Sequence, residues 1–249
     1  MQLPCLPAGR HRVRQWRSLA RATAAAAVLG TLFLATASGT ACGDEPAEAA
    51  DRHPELRRLS DTDEIWLDKA GGRVVVGGEI AMAEGAIEVF ACPRQTKEHE
   101  AVVATRCPAR LVHAGLLAIG LEPGHPVSFD PDYEPAEGPG VKVLVRWHDA
   151  DGNQRERPAQ ELIRNTKTGG QLEAEWVFAG SSFWVDPADG TRHYQADGGD
   201  MICVSNFPSA MLDLPIASSE SNAALLFEAF PERVPPPGTV VDLILSAAP

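Results

Sequence analysis

Val141-Lys142-Val143-Leu144-Val145-Arg146-Trp147, running into Asp149-Ala150-Asp151-Gly152-Asn153, is the stretch that decides the fold class. Val141, Val143, Val145 and Trp147 alternate with Lys142, Leu144 and Arg146, the period-two pattern of a strand with one buried face. Asp-Gly at its end is a hairpin signal, because the tight turn needs residues that tolerate positive φ. The same logic applies further along. Ser182-Phe183-Trp184-Val185 and Arg192-His193-Tyr194-Gln195 flank Asp186-Pro187-Ala188-Asp189-Gly190, a second hairpin. Further strand candidates are 73–76, 86–92, 101–106, 201–205 and 240–245. The pattern predicts mainly antiparallel sheet.

Two helices are expected among the strands. Pro108 suits a helix start and Gly120 a helix stop around Ala109–Ile119, with Val112, Leu116 and Ile119 on one face. Ser221 suits the cap of a second helix over Asn222–Phe230, stopped by Pro231. Residues 122–140 hold five prolines and three glycines and read as a crossing loop and a possible subdomain break. The expected class is α+β: mainly antiparallel sheet with two short-to-medium helices, and no internal repeat.

The amino terminus has a different composition. Residues 1–42 carry five arginines (Arg10, Arg12, Arg14, Arg17, Arg21) and no lysine or acidic residue. Ala22–Ala37 follows as an apolar core of signal-peptide length, so residues 1–41 read as an export signal. Gly39-Thr40-Ala41-Cys42 resembles a lipobox, which makes Cys42 a lipidation site and the membrane a partner through that anchor. Ordinary cleavage after Ala35-Thr36-Ala37 is the alternative, giving a secreted chain. Residues 42–61, rich in Ala, Glu, Pro and Arg, read as a flexible tether, with the folded body over 62–249. Removing the leader turns a net charge of −12 into 22 − 5 = 17 basic against 34 acidic groups, or −17. Such a body repels phosphate backbones, which argues against nucleic-acid binding.

Of five cysteines, Cys5 leaves with the leader and Cys42 is the lipidation candidate, so Cys92, Cys107 and Cys203 remain. Three cannot all pair internally. If 86–92 and 100–106 form a hairpin, Cys107 lies about 23 Å from Cys92 at strand rise, beyond disulfide reach. Cys92–Cys203 and three buried thiols both stay open. No Cys-x-x-Cys occurs, which excludes zinc ribbons and thioredoxin-type chemistry.

The densest candidate ligands are Lys97-Glu98-His99-Glu100 and, on the first helix, His113. Imidazole with carboxylate suits a zinc or general acid/base site, but the second histidine of His-Glu-x-x-His is missing. Asp197-Gly198-Gly199-Asp200 reads either as a cation-holding turn or as a tight turn built on glycine. Asp149, Asp151 and Asn153 imitate the start of an EF-hand loop, yet Gln154 stands where glycine is required. There is no Gly-x-Ser-x-Gly elbow, Gly-x-Gly-x-x-Gly or Walker loop, so no catalytic residue, metal or cofactor is assigned.

Three segments, 87–120, 176–186 and 194–216, together resemble the YdjY-domain proteins, exported bacterial proteins of unknown function that include planctomycete-type members. The likeness runs from about Ile65 to Leu245. Some members carry an added cysteine-rich, ferredoxin-like segment that is absent here, so the resemblance does not imply electron transfer. Glu100 follows His99 as in members with a His-Glu or Tyr-Glu pair, and Ala101 stands where serine is common. The resulting expectation is a lipid-anchored or secreted envelope protein, a binding or assembly module for an envelope protein or a small-molecule ligand. A metal-dependent hydrolase using His99, Glu100 and His113 is the rival.

Overall fold

The computed structural model describes residues 51–217 and 225–249. The expectations for the leader, for Cys42 and for the start of the second helix fall outside them.

The alternating run is a nine-residue strand, β6 (Gly140–His148), with Val141, Val143 and Val145 fully buried. It turns into β7 (Gln154–Pro158) through the expected hairpin. Asp149 makes that turn: its Oδ1 accepts the Asp151 and Asn153 N–H groups at 3.1 and 2.9 Å. This is the Asx geometry that favours aspartate at turns.

The other strands in chain order are β1 (Arg57–Arg58), β2 (Ile65–Asp68), β3 (Arg73–Ile80), β4 (Val89–Pro93) and β5 (Ala101–Thr105), then β8 (Ile163–Asn165), β9 (Trp176–Phe178), β10 (Phe183–Val185), β11 (Arg192–Tyr194), β12 (Ile202–Cys203), β13 (Leu212–Asp213), β14 (Phe227–Ala229) and β15 (Val240–Ala247). Eight of them close on themselves in the order β3-β15-β6-β9-β13-β12-β4-β5, and β5 returns to β3. β3 is long enough to pair with β2 through Arg73–Val76 and with β5 through Gly78–Ile80. An eight-stranded barrel is just wide enough for side chains to fill it. Val76, Phe90, Val143, Trp176, Ile202, Leu212 and Leu243 belong to that filled core.

α1 (Ala109–Ala118) starts after Pro108 and stops at Gly120, whose φ of 93° only glycine adopts freely. Val112 and Leu116 join the barrel core, and Ile119 packs against it.

The class is therefore mainly β with one α-helix among the described residues, not α+β with two helices. Phe227–Ala229, expected to be helical, is β14 and pairs with β8. Leu225-Leu226-Phe227-Glu228-Ala229-Phe230 suits either period, and a short apolar run of this kind is settled by its pairing partner. A second correction concerns β4 and β5. They are parallel, with Val89 opposite Ala101 and Cys92 opposite Ala104. Cys107 is then three residues past Cys92's partner, about 10 Å at strand rise, still too far for a disulfide. Cys92, Cys107 and Cys203 are buried free thiols, and burial pushes the Cys92 thiol up to about 11.

Residues 51–61, read as the end of a tether, pack on the body. β1 pairs with β2. Asp51 Oδ1 accepts the Trp66 Nε1–H at 2.8 Å, and Leu56 lies against Trp66, Val75 and Ile244.

Candidate functional site

Parallel pairing forces the chain to cross back from the end of β4 to the start of β5, and it does so in residues 94–100. That crossover and the loop before β12 carry most of the polar groups that converge in the fold.

Lys97 is the centre of one cluster. Its Nζ lies 3.1 Å from Asp200 Oδ1, 3.4 Å from Glu100 Oε1 and 3.8 Å from Glu88 Oε2. The ammonium also sits 4.4 Å from the centre of the Phe207 ring. Gly199 makes this path possible: with φ 134° it has no side chain, and a Cβ there would stand 2.5 Å from Lys97 Cγ. Burial alone would lower the Lys97 pKa, but the Asp200 and Glu100 carboxylates hold it above its ordinary value. Glu88 is shifted up, first by burial and then by Glu100 beside it. Ser209 Oγ donates to Asp200 Oδ2 at 2.5 Å.

Asp213 on β13 lies behind this cluster and is completely buried. Its Oδ1 accepts from Leu214 N–H at 2.7 Å and Asn206 Nδ2 at 3.2 Å. Its Oδ2 has no hydrogen-bond partner among the described residues. Burial raises its pKa to about 7, and Asp200 adds to the shift.

On the other side of the crossover is a groove of about 610 Å³. Arg94 follows β4, Arg106 follows β5, and Arg110 stands in the first turn of α1; all three line it, with Thr62, Asp63 and Thr96. Arg106 pairs with Glu64 at 2.8 Å and Glu79 at 3.3 Å, and Arg94 also pairs with Glu79. Each guanidinium offers five N–H donors. Arg106 Nε is buried without an acceptor among the described residues. The Glu64 and Glu79 carboxylates hold the Arg106 pKa above its ordinary value, against burial.

The sequence candidates therefore separate. Glu100 and Asp200 meet at Lys97. His99, beside Glu100, points outward with its side chain 77 % exposed. Asp197 serves α1: its Oδ1 accepts the Arg110 backbone N–H at 3.0 Å and its Oδ2 pairs with that guanidinium at 2.5 Å. His113 is taken up by aromatics. It packs edge-on against Phe178 at 4.9 Å, and its Nδ1 lies 2.8 Å from the Tyr194 hydroxyl. Tyr194 donates to Gly180 O at 2.9 Å. Burial lowers the His113 pKa. His99, Glu100 and His113 thus form no common centre, and no group of three such residues that could hold a metal exists among the described residues. Glu88, Asp213 and the three arginines carry no sequence signal of their own, and Lys97 stands out only as part of the charged run Lys97-Glu98-His99-Glu100. Glu88 and Glu100 each precede a strand of the parallel pair, a symmetry visible only once that pairing is known.

A family model described as the YdjY domain matches residues 65–246. The chain belongs to the YdjY domain family. The match begins at the first residue of β2 and ends inside β15, so it takes in α1, the Lys97 cluster and the three arginines of the groove, while Thr62, Asp63 and Glu64 of the groove precede it. The YdjY domain carries no assigned reaction, which leaves function to be argued from the site. No curated protein and no solved structure matches the chain.

Proposed function

We propose that this YdjY-domain protein is a ligand-binding module of the cell envelope, exported by its leader and anchored through a lipid on Cys42. Its ligand carries a compact anionic group, carboxylate or phosphate, and docks in the groove beside α1. The observation that carries the reading is the convergence of Arg94, Arg106 and Arg110 on that groove, with the buried Arg106 Nε lacking an acceptor. Only one guanidinium nitrogen of Arg94 and one of Arg110 is engaged by a carboxylate among the described residues. Donors therefore remain for a planar or tetrahedral anion, and the guanidinium fork suits both. The basic leader, the apolar run after it and the Gly39–Cys42 motif support the location.

Titrating the purified protein with inorganic phosphate and with acetate, followed by backbone NMR shifts, tests the site. Saturable shifts at residues 94, 106 and 110 are expected, weakened roughly tenfold in Arg106→Gln, the loss of about one charge-assisted hydrogen bond. Unsaturable shifts with both anions, or equal affinity in the variant, sink the binding reading. Mass spectrometry of the mature amino terminus tests the location. A diacylglyceryl mass on Cys42 supports the anchor, and an unmodified start near Ser38 defeats it.

A further inference from the structure

β10 and β11 form a two-stranded sheet of their own, outside the barrel. Three consecutive large apolar residues on β10 face solvent: Phe183, Trp184 and Val185 are 53 %, 48 % and 52 % exposed. Tyr194 and His193 lie opposite Phe183 and Trp184 and give them ring contacts at 5.3 and 5.4 Å. That still leaves half of each residue in water.

The hydrogen bonds fix which way the strand points. Gln195 N–H donates to Ser182 O at 3.0 Å, and Asp186 N–H to Thr191 O at 2.8 Å. Positions 182 and 186 are thus in hydrogen-bonded pairs with β11, and by alternation so is Trp184. Phe183 and Val185 therefore turn their N–H and C=O groups away from β11, and β10 has no other strand partner among the described residues. Sheet edges of this kind are usually blunted by charge, proline or a bulge. The β11 edge has Arg192 and His193, whereas Phe183-Trp184-Val185 has none of these devices.

We infer that the β10 edge pairs with the β10 edge of a second copy of this chain, antiparallel, about a two-fold axis through Trp184. In that register Phe183 of each copy faces Val185 of the other. All four outward N–H and C=O groups of each copy are then satisfied, and β11-β10-β10-β11 becomes one four-stranded sheet. Trp184 meets Trp184 at a non-hydrogen-bonded position, where Cα atoms approach to about 4.5 Å and side chains pack closest. Asp186 falls opposite Ser182, so no like charges are directly opposed. The contact is self-complementary and closed, as a two-fold interface must be. Its short length makes it weak, below the area of a permanent dimer. The net −17 of each body opposes association at long range, and salt screens that repulsion.

Sedimentation velocity of the purified chain over a concentration series, at low and high salt, tests this. The expected result is a monomer–dimer equilibrium that shifts toward dimer with salt, accompanied by an exciton couplet in circular dichroism that Trp184→Phe abolishes. Val185→Pro removes an N–H that points away from β11, so the hairpin survives while the seam loses a bond and gains a steric block. Val185→Lys keeps every backbone group and sets two charges at the seam. Each variant should weaken the dimer at least about tenfold. A monomer at every concentration, a dimer unchanged in Val185→Lys, or a couplet that persists without Trp184 overturns the inference.

Discussion

Asp213 shows what a single buried carboxylate does to the stability of the barrel. Its environment raises the folded-state pKa to about 7, chiefly by burial, while an unfolded aspartate titrates near 3.8. Between those values the folded state holds a proton that the unfolded state has released, so stability falls as pH rises and levels off above 7. Asp213→Asn removes this titration and keeps the acceptor that serves Leu214 and Asn206. Thermal unfolding of the variant should match the parent near pH 4 and exceed it by a few kcal/mol near pH 8. An equal difference at both pH values would refute the assignment. Lys97 stabilises by its charge instead. It offsets three carboxylates whose side chains are 9 to 16 % exposed. Lys97→Met leaves them facing one another and should cost about 1–3 kcal/mol at neutral pH, discounted for the part of the cluster open to water. Denaturant melts of parent and variant at neutral pH read that loss directly, and an unchanged midpoint would refute it.

Individual elements differ in how far local sequence determines them. α1 is legible because Pro108 and Gly120 are local signals, and both hairpins because Asp-rich turns with glycine fix them. The parallel β4–β5 pair is not. All five residues of each strand are buried, so no alternation marks a face, and a crossover of seven residues has the length of a hairpin loop rather than of an ordinary parallel connection. The candidate site was half legible for the same reason. Glu100 and Asp200 stand out as acids near turns, but Lys97, Glu88 and Asp213 acquire meaning only when β4, β12 and β13 become neighbours. Asp197 illustrates the point at the scale of a helix. A residue 87 positions away in sequence supplies the cap that α1 lacks locally, since Pro108 makes no side-chain cap. Asp197→Ala should cost about 1 kcal/mol, with exchange protection lost first at the amino-terminal turn of α1. Unchanged protection of Arg110 and its neighbours would show that the cap contributes nothing.

The whole molecule is bounded by a segment that composition alone assigned to a tether. Polar residues dominate 51–61, but Arg52, His53 and Leu56 bind them to the outer face of the sheet. Arg52 bridges Glu64 and Asp242, each at 2.6 Å. His53 Nε2 lies 3.1 Å from Asp242, and its ring packs edge-on against Trp66 at 4.7 Å. Leu56 completes a small apolar cluster with Trp66, Val75 and Ile244, outside the barrel core. The ion pairs join those of the groove through Glu64, which holds Arg52 and Arg106 together. The segment thus supports the arginine proposed to bind the anion. A chain beginning at Thr62 would re-expose on the order of 100 Å² of apolar surface, costing about 2–3 kcal/mol. For a body of this size that lowers the thermal midpoint by about 5–10 °C relative to a chain beginning at Asp51. The loss of Arg52 also frees one Glu64 oxygen to compete for Arg106, so phosphate should bind the shorter chain more weakly. If the shorter chain melted at the same temperature, the segment would be a tether after all. If it melted lower but bound phosphate equally well, Arg106 would be positioned by Glu79 and the end of β5 alone.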